Sequence, residues 1–202
     1  MVPLSRSVRR LIVIATLSVL AAGTQVLADS KDGIFPSADQ VGGQVFPTGL
    51  KQGDAFPTDI DVFDEASKKV DFASAIKGKR TLVTFFISAA PASVSELGKI
   101  LAAVEGAKQN TQVMFINADT VGVALEGGAG TAIAETVRTV TLIKRENNLT
   151  ASMFVAPNDA LSPAGLSNRL GFRGLPTSYL IGADGNVEKV FIGQHAWNRG
   201  DI

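Results

Sequence analysis

"TLVTFFISAAPASVSELGKIL", residues 81 to 101, decides the fold. Thr81 to Phe86 are β-branched, aliphatic or aromatic without a charge among them, which predicts a central strand buried on both faces. Beyond it the period changes. Val94, Leu97, Leu101 and Val104 share one face of a helix, and Pro91 suits its first turn because the missing N–H would be unpaired there. The junction, "SAAPASVSE" at 88 to 96, lies where a strand meets a helix N-terminus, a common place for a reactive group. It holds no thiol, imidazole or lysine.

Outward from this stretch, strands and helices alternate. "IDVF" and "VDF" flank the polar "DEASKK" and read as two short strands about a turn, before Gly78 leads into the central strand. "QVMFINAD" predicts a second buried strand, and "TAIAETVRTVTLIKRE" a helix with Ile133, Val137 and Val140 aligned. "SMFV" is a third strand. Ser162 and Pro163 carry start signals for a short helix bearing Leu166 and Leu170 and stopping at Gly171. "TSYLIGADGNVEKVFIG" alternates around Asp184-Gly185, a strong hairpin signal. This succession predicts an α/β domain of three layers around a mixed sheet.

The bulk composition bounds the rest. Arg6, Arg9 and Arg10, the apolar run from Leu11 to Gly23 and Val26-Leu27-Ala28 read as an export signal over 1–28, either cleaved before Asp29 or kept as an N-terminal anchor. Residues 29–52, rich in Gly and Pro, read as an extended arm, and 53–202 as the domain. Without residues 1–28 the chain loses three of its 19 basic residues and none of its 19 acidic ones, leaving a formal charge of −3, which argues against a nucleic-acid partner. With no cysteine there is no disulfide and no thiol chemistry. "IFPS", "VFPT" and "AFPT", at 34, 45 and 55, repeat a Phe-Pro pair that pins an extended segment to the domain or docks a partner.

From about Gly53 to Trp197 the chain resembles thioredoxin-fold proteins of the TlpA and redoxin (AhpC/TSA-like) type. The resemblance rests on "GKRTLVTFFIS", which in that family precedes a Cys-x-x-Cys-x-x-Glu motif, and on "GFRGLPTSYLIGADGNV", similar to the segment holding the family's cis proline. It implies a thioredoxin-like three-layer sandwich with a TlpA-type insertion. Ala90 and Ser93 stand where the cysteines would be, Glu96 where the glutamate would be, and Leu175-Pro176 is the expected cis bond, with Thr177 starting the next strand. By the same resemblance, Leu175, Pro176 and Thr177 would pair with an extended peptide.

Alanine cannot attack, and Ser93 reads as a small buried filler rather than a nucleophile lacking its base. Glu96 reads as a solvated first-turn carboxylate favoured by the helix dipole. His195, the only histidine, reads as a loop residue, so neither metal nor cofactor is expected. "EGGAGT", 126 to 131, lacks both a P-loop lysine and the dinucleotide spacing. The family's closing helix has no counterpart in "QHAWNRGDI", residues 194 to 202. One hairpin face is expected to carry Tyr179, Ile181, Val187, Lys189 and Phe191, and a partner or second copy is expected to cover it, with Phe35, Phe46 and Trp197 as contacts.

The reading is a non-catalytic periplasmic protein that acts by protein binding, as an accessory or assembly component of a larger complex. The competing readings are a thiol-disulfide oxidoreductase whose cysteines have been replaced in this chain, and an enzyme built on Ser93 or the Gly-rich loop.

Overall fold

The structure, a computed structural model, describes residues 49–105, 107, 110–119, 128–158, 165–172 and 174–202. The expected signal segment, Phe35, Phe46 and the helix start at Ser162-Pro163 lie outside the described residues.

The strand expected at 81–86 forms as β3 (Thr81–Phe86), and all six of its residues are buried. Its neighbours explain why. It pairs in parallel with β4 (Gln112–Asn117) and antiparallel with β6 (Thr177–Ile181). Outward from β4 come β5 (Ser152–Val155), β1 (Val62–Phe63) and β2 (Lys69–Val70), and outward from β6 comes β7 (Val187–Ile192). The order of the seven-stranded mixed sheet is β2-β1-β5-β4-β3-β6-β7.

Helices cover both faces, so alternate residues of one strand enter different cores. Val83 and Phe85 pack with Met114, Ile116 and Tyr179 beneath α1 (Phe72–Ile76) and α4 (Leu166–Leu170). Leu82 and Phe86 pack with Phe115 and Leu180 beneath α2 (Pro91–Glu105) and α3 (Gly128–Glu146), which bring Leu97, Ile100, Ile133, Val137 and Val140. The three layers are therefore α1/α4, the sheet, and α2/α3. α4 stops at Gly171, whose φ of 62° is the left-handed conformation that glycine adopts without steric cost.

Three expectations change. Phe72, taken from its sequence as part of a strand, opens α1, because Asp71 caps that helix by accepting from the Ser74 backbone N–H at 3.1 Å and the Ser74 hydroxyl at 2.7 Å. The two faces of the hairpin are also grouped differently. Tyr179 opposes Val190 and Ile181 opposes Val187, with the register shifting between Leu180 and Ile181. That shift leaves Glu188 as the extra residue, so Val187 stays with the Tyr179 core while Phe191 joins Leu180 on the other face.

The third change concerns what covers the hairpin. Over the Tyr179 face lies Phe56 of "AFPT", its ring 5.4 Å from Tyr179 and 6.1 Å from Phe72. Leu50, at the end of the expected arm, packs against the same core. Over the Leu180 face, residues 194–202 form turns rather than a helix, yet Ile202 is buried and Trp197 packs on Phe191 with ring centroids 4.6 Å apart. Nine mainly polar residues suffice because β7 is an edge strand with one large apolar residue, Phe191, to shield on that side. Trp197, expected as a partner contact, is engaged within its own chain.

Tyr179 is the only tyrosine, and burial holds its hydroxyl pKa well above the ordinary value. The unfolded chain ionises near a pH of about 10 and the folded chain only above that, so stability present below that pH is lost as pH rises. In an alkaline titration, tyrosinate absorbance is expected to appear together with loss of far-UV circular dichroism. Ionisation with the fold intact would contradict the packing.

Candidate functional site

Two segments meet at one end of the β3–β6 pair. Phe85 lies opposite Thr177, so the chain leaving β3 through Ile87 to Ala90 runs beside the chain entering β6 through Gly174, Leu175 and Pro176. The Leu175–Pro176 peptide is cis, and β6 begins at Thr177, both as expected. Behind the junction, Thr84 and Ser178 share a buried hydroxyl hydrogen bond of 2.8 Å that ties the two strands.

On the helix side the polar groups hold the backbone in shape. Ser93 is fully buried, and its Oγ accepts from the Ile87 N–H at 3.2 Å. The Ala90 carbonyl accepts from the Ser93 and Val94 N–H groups at 2.9 and 3.1 Å, which closes the first turn, and Pro91 stands at the first helical position. Ser88 donates its N–H to Asp119 Oδ1 at 2.8 Å and its hydroxyl to Asp119 Oδ2, binding the loop after β3 to the end of β4. Asn117, buried at that strand end, accepts from the Asp119 N–H at 3.1 Å, while its Nδ2 has no partner among the described residues. Ala90 itself, half-buried, carries only a methyl group.

On the proline side, Gly193 donates its N–H to the Pro176 carbonyl at 2.7 Å, and Thr177 Oγ1 donates to the Gly174 carbonyl at 2.5 Å. The half-buried Leu175 makes no backbone hydrogen bond with any described residue. In the bend that precedes β6, its N–H and C=O are therefore a donor and an acceptor without partners among the described residues.

Glu96 differs most from expectation. It is neither solvated nor in the first turn: it is the sixth residue of α2 and has no exposed surface. Its Oε1 accepts from the His195 backbone N–H at 2.6 Å and from the Trp197 indole N–H at 2.5 Å, and Lys99 Nζ lies 3.1 Å from Oε2. A buried carboxylate persists only when paired and hydrogen-bonded, and here three donors meet that condition. The physical reason is helical spacing, since Ser93, Glu96 and Ile100 fall on one stripe and that stripe faces the sheet. That spacing was visible in the sequence; the donors, about a hundred residues away, were not.

His195 is a loop residue whose ring Nε2 lies 3.1 Å from Asp201 Oδ2 and whose plane stands 83° to Trp197. Among the described residues no three metal-ligating side chains come together. Of the Gly-rich loop, Glu126 and Gly127 lie outside the described residues, and Gly128 opens α3.

No family model matches the chain, and no curated protein matches it. Solved structures do. The thioredoxin domain of a thiol-disulfide oxidoreductase from Bacteroides vulgatus superposes with a TM-score of 0.53 at 15% identity, over 71% of this chain and 90% of that one. A Bacteroides thetaiotaomicron protein described as a disulfide isomerase gives 0.50 at 16%, over 71% and 79%. Likeness at such low identity bears on fold and says nothing of activity.

The Thr84–Ser178 pair offers a test of how the two sides are joined. Thr84→Val leaves the Ser178 hydroxyl buried without its partner and is expected to cost about 1–3 kcal/mol, as is Ser178→Ala. The double variant should cost clearly less than the sum in urea denaturation, and strict additivity would show that the hydroxyls do not interact.

Proposed function

From a thioredoxin-like fold with no cysteine in any of its 202 residues, we propose a non-catalytic protein that binds extended polypeptide at the Pro176 loop. In this reading it is exported through residues 1–28 to the periplasm and acts there as an accessory or assembly component of a larger complex. The observation that carries the reading is Leu175, whose backbone N–H and C=O are unpaired among the described residues beside a cis proline. An extended segment pairs with such groups as an added strand, and that mode of recognition needs no thiol.

The chemistry of the helix side supports binding over turnover. Disulfide exchange requires a thiolate, and position 90 offers a methyl group. Among the described residues no base is hydrogen-bonded to Ser93, and its Oγ accepts from the Ile87 N–H, a bond that serves the turn. Glu96 has both oxygens occupied. Without a mixed disulfide to trap it, a bound polypeptide leaves freely, so the complex is weak and reversible unless further surfaces add to it.

Two measurements test this. Insulin reduction by the purified chain is expected to stay at background, and turnover that depends on residues around Ala90 would overturn the non-catalytic reading. An unstructured peptide titrated into labelled protein should shift the amides of Leu175 and Ser178 at about millimolar concentration. Unchanged shifts there would end the groove proposal.

A further inference from the structure

Glu96 belongs to the helix that carries the degenerate motif, yet the groups it holds belong to the far end of the chain. His195 and Trp197 donate to its Oε1, two and four residues after Gly193, and Gly193 in turn donates to the carbonyl of Pro176. We propose that Glu96 is a positioning residue for the Pro176 loop. Through the turn at 193–197 it locks the two walls of the groove, α2 and the cis-proline loop, to each other. This deepens the groove reading and rests on it for its functional consequence.

The coupling follows from how little else holds the turn. Gly193 has φ 76°, a conformation that an L side chain would strain, so its N–H points at Pro176 only while the turn keeps this shape. Gln194 and Ala196 are exposed. The ring of His195 reaches Asp201 within the same segment, and Lys189 Nζ holds the Gly200 and Asp201 carbonyls at 3.0 Å at the segment's other end. Between Gly193 and that distal clamp, the polar contacts that fasten the turn to another element converge on one carboxylate oxygen of Glu96. Beside it, among the described residues, the packing of Trp197 and His195 on Phe191 and the pairing of Ile192 with Thr177 contribute.

Removing the carboxylate therefore frees the turn, and the Pro176 carbonyl loses a fixed donor. An amide oxygen at the same place still accepts both N–H groups, so the conservative variant should restore the geometry. Trp197, the only tryptophan, reports on the turn by its emission.

Native-state hydrogen exchange of the Gly193 amide tests this in wild type, Glu96→Gln, Glu96→Ala and Trp197→Phe, with Val137→Ala in α3 as a control that weakens the core elsewhere. Relative to the amide of Leu82 in β3, Gly193 is expected to exchange at least about tenfold faster in Glu96→Ala, several-fold faster in Trp197→Phe, and near the wild-type rate in Glu96→Gln. Trp197 emission should shift to the red in Glu96→Ala alone among the variants that keep it. Should Glu96→Ala not fold, Trp197→Phe carries the exchange test. Unchanged Gly193 protection in the folded variants would overturn the proposal, and so would equal loss in Val137→Ala. Peptide binding is read separately. Affinity about tenfold lower in Glu96→Ala and recovered in Glu96→Gln is the expected result. If wild type binds no peptide while Gly193 responds as described, the groove reading falls and the positioning role stands.

Discussion

Six consecutive buried residues, Thr81 to Phe86, constrain everything around them. A strand without a solvent face needs hydrogen-bonded neighbours on both edges and apolar cover on both sides. β4 and β6 supply the first, and the α2/α3 and α1/α4 layers the second. Because β4 runs parallel and β6 antiparallel to β3, the helix after β3 and the loop before β6 emerge at the same end of the sheet. The site exists because of that arrangement, whatever residues occupy it.

With only a methyl group at position 90, the polar residues of the junction hold its backbone in shape. Ser93 and Asp119 hold backbone amides, Ser88 donates its hydroxyl to Asp119, and Thr84 and Ser178 hold each other. Each such bond contributes about 1 kcal/mol net, but leaving one partner buried and unpaired costs more, so these residues are difficult to remove singly. The shape of the junction is thus maintained by the same requirement that keeps any buried polar group paired.

Glu96 shows that requirement in its strongest form. Isolating a carboxylate from water costs several kcal/mol unless donors replace the solvent, and breaking a buried pair typically costs about 3–5 kcal/mol. The donors come from residues 195 and 197, so the burial of one side chain in α2 commits the last turns of the described chain to a fixed path across β7. That path shields the Phe191 side of the hairpin, which from composition alone called for a second molecule. Phe56 and Leu50 do the same on the opposite side.

The sequence by itself determined the central strand, the helix opened by Pro91 and the hairpin at Asp184-Gly185, and by resemblance the cis bond at Pro176 and the thioredoxin-like fold. Those features depend on short-range patterns: a continuous apolar run, a helical period, turn residues, and a proline in a familiar setting. It also determined the absence of thiol chemistry, since composition alone settles that. The tertiary structure alone decided the start of α1 at Phe72, the hairpin register, the cover over the hairpin and the burial of Glu96. Each of these turns on a local choice or a distant contact that hydropathy does not encode. An Asp71 cap outweighed the strand-like character of "VDF", and one extra residue, Glu188, moved Phe191 to the opposite face. A carboxylate on a helix reads as exposed until Trp197 and His195 are known to reach it, because only the folded chain brings together donors and an acceptor about a hundred residues apart.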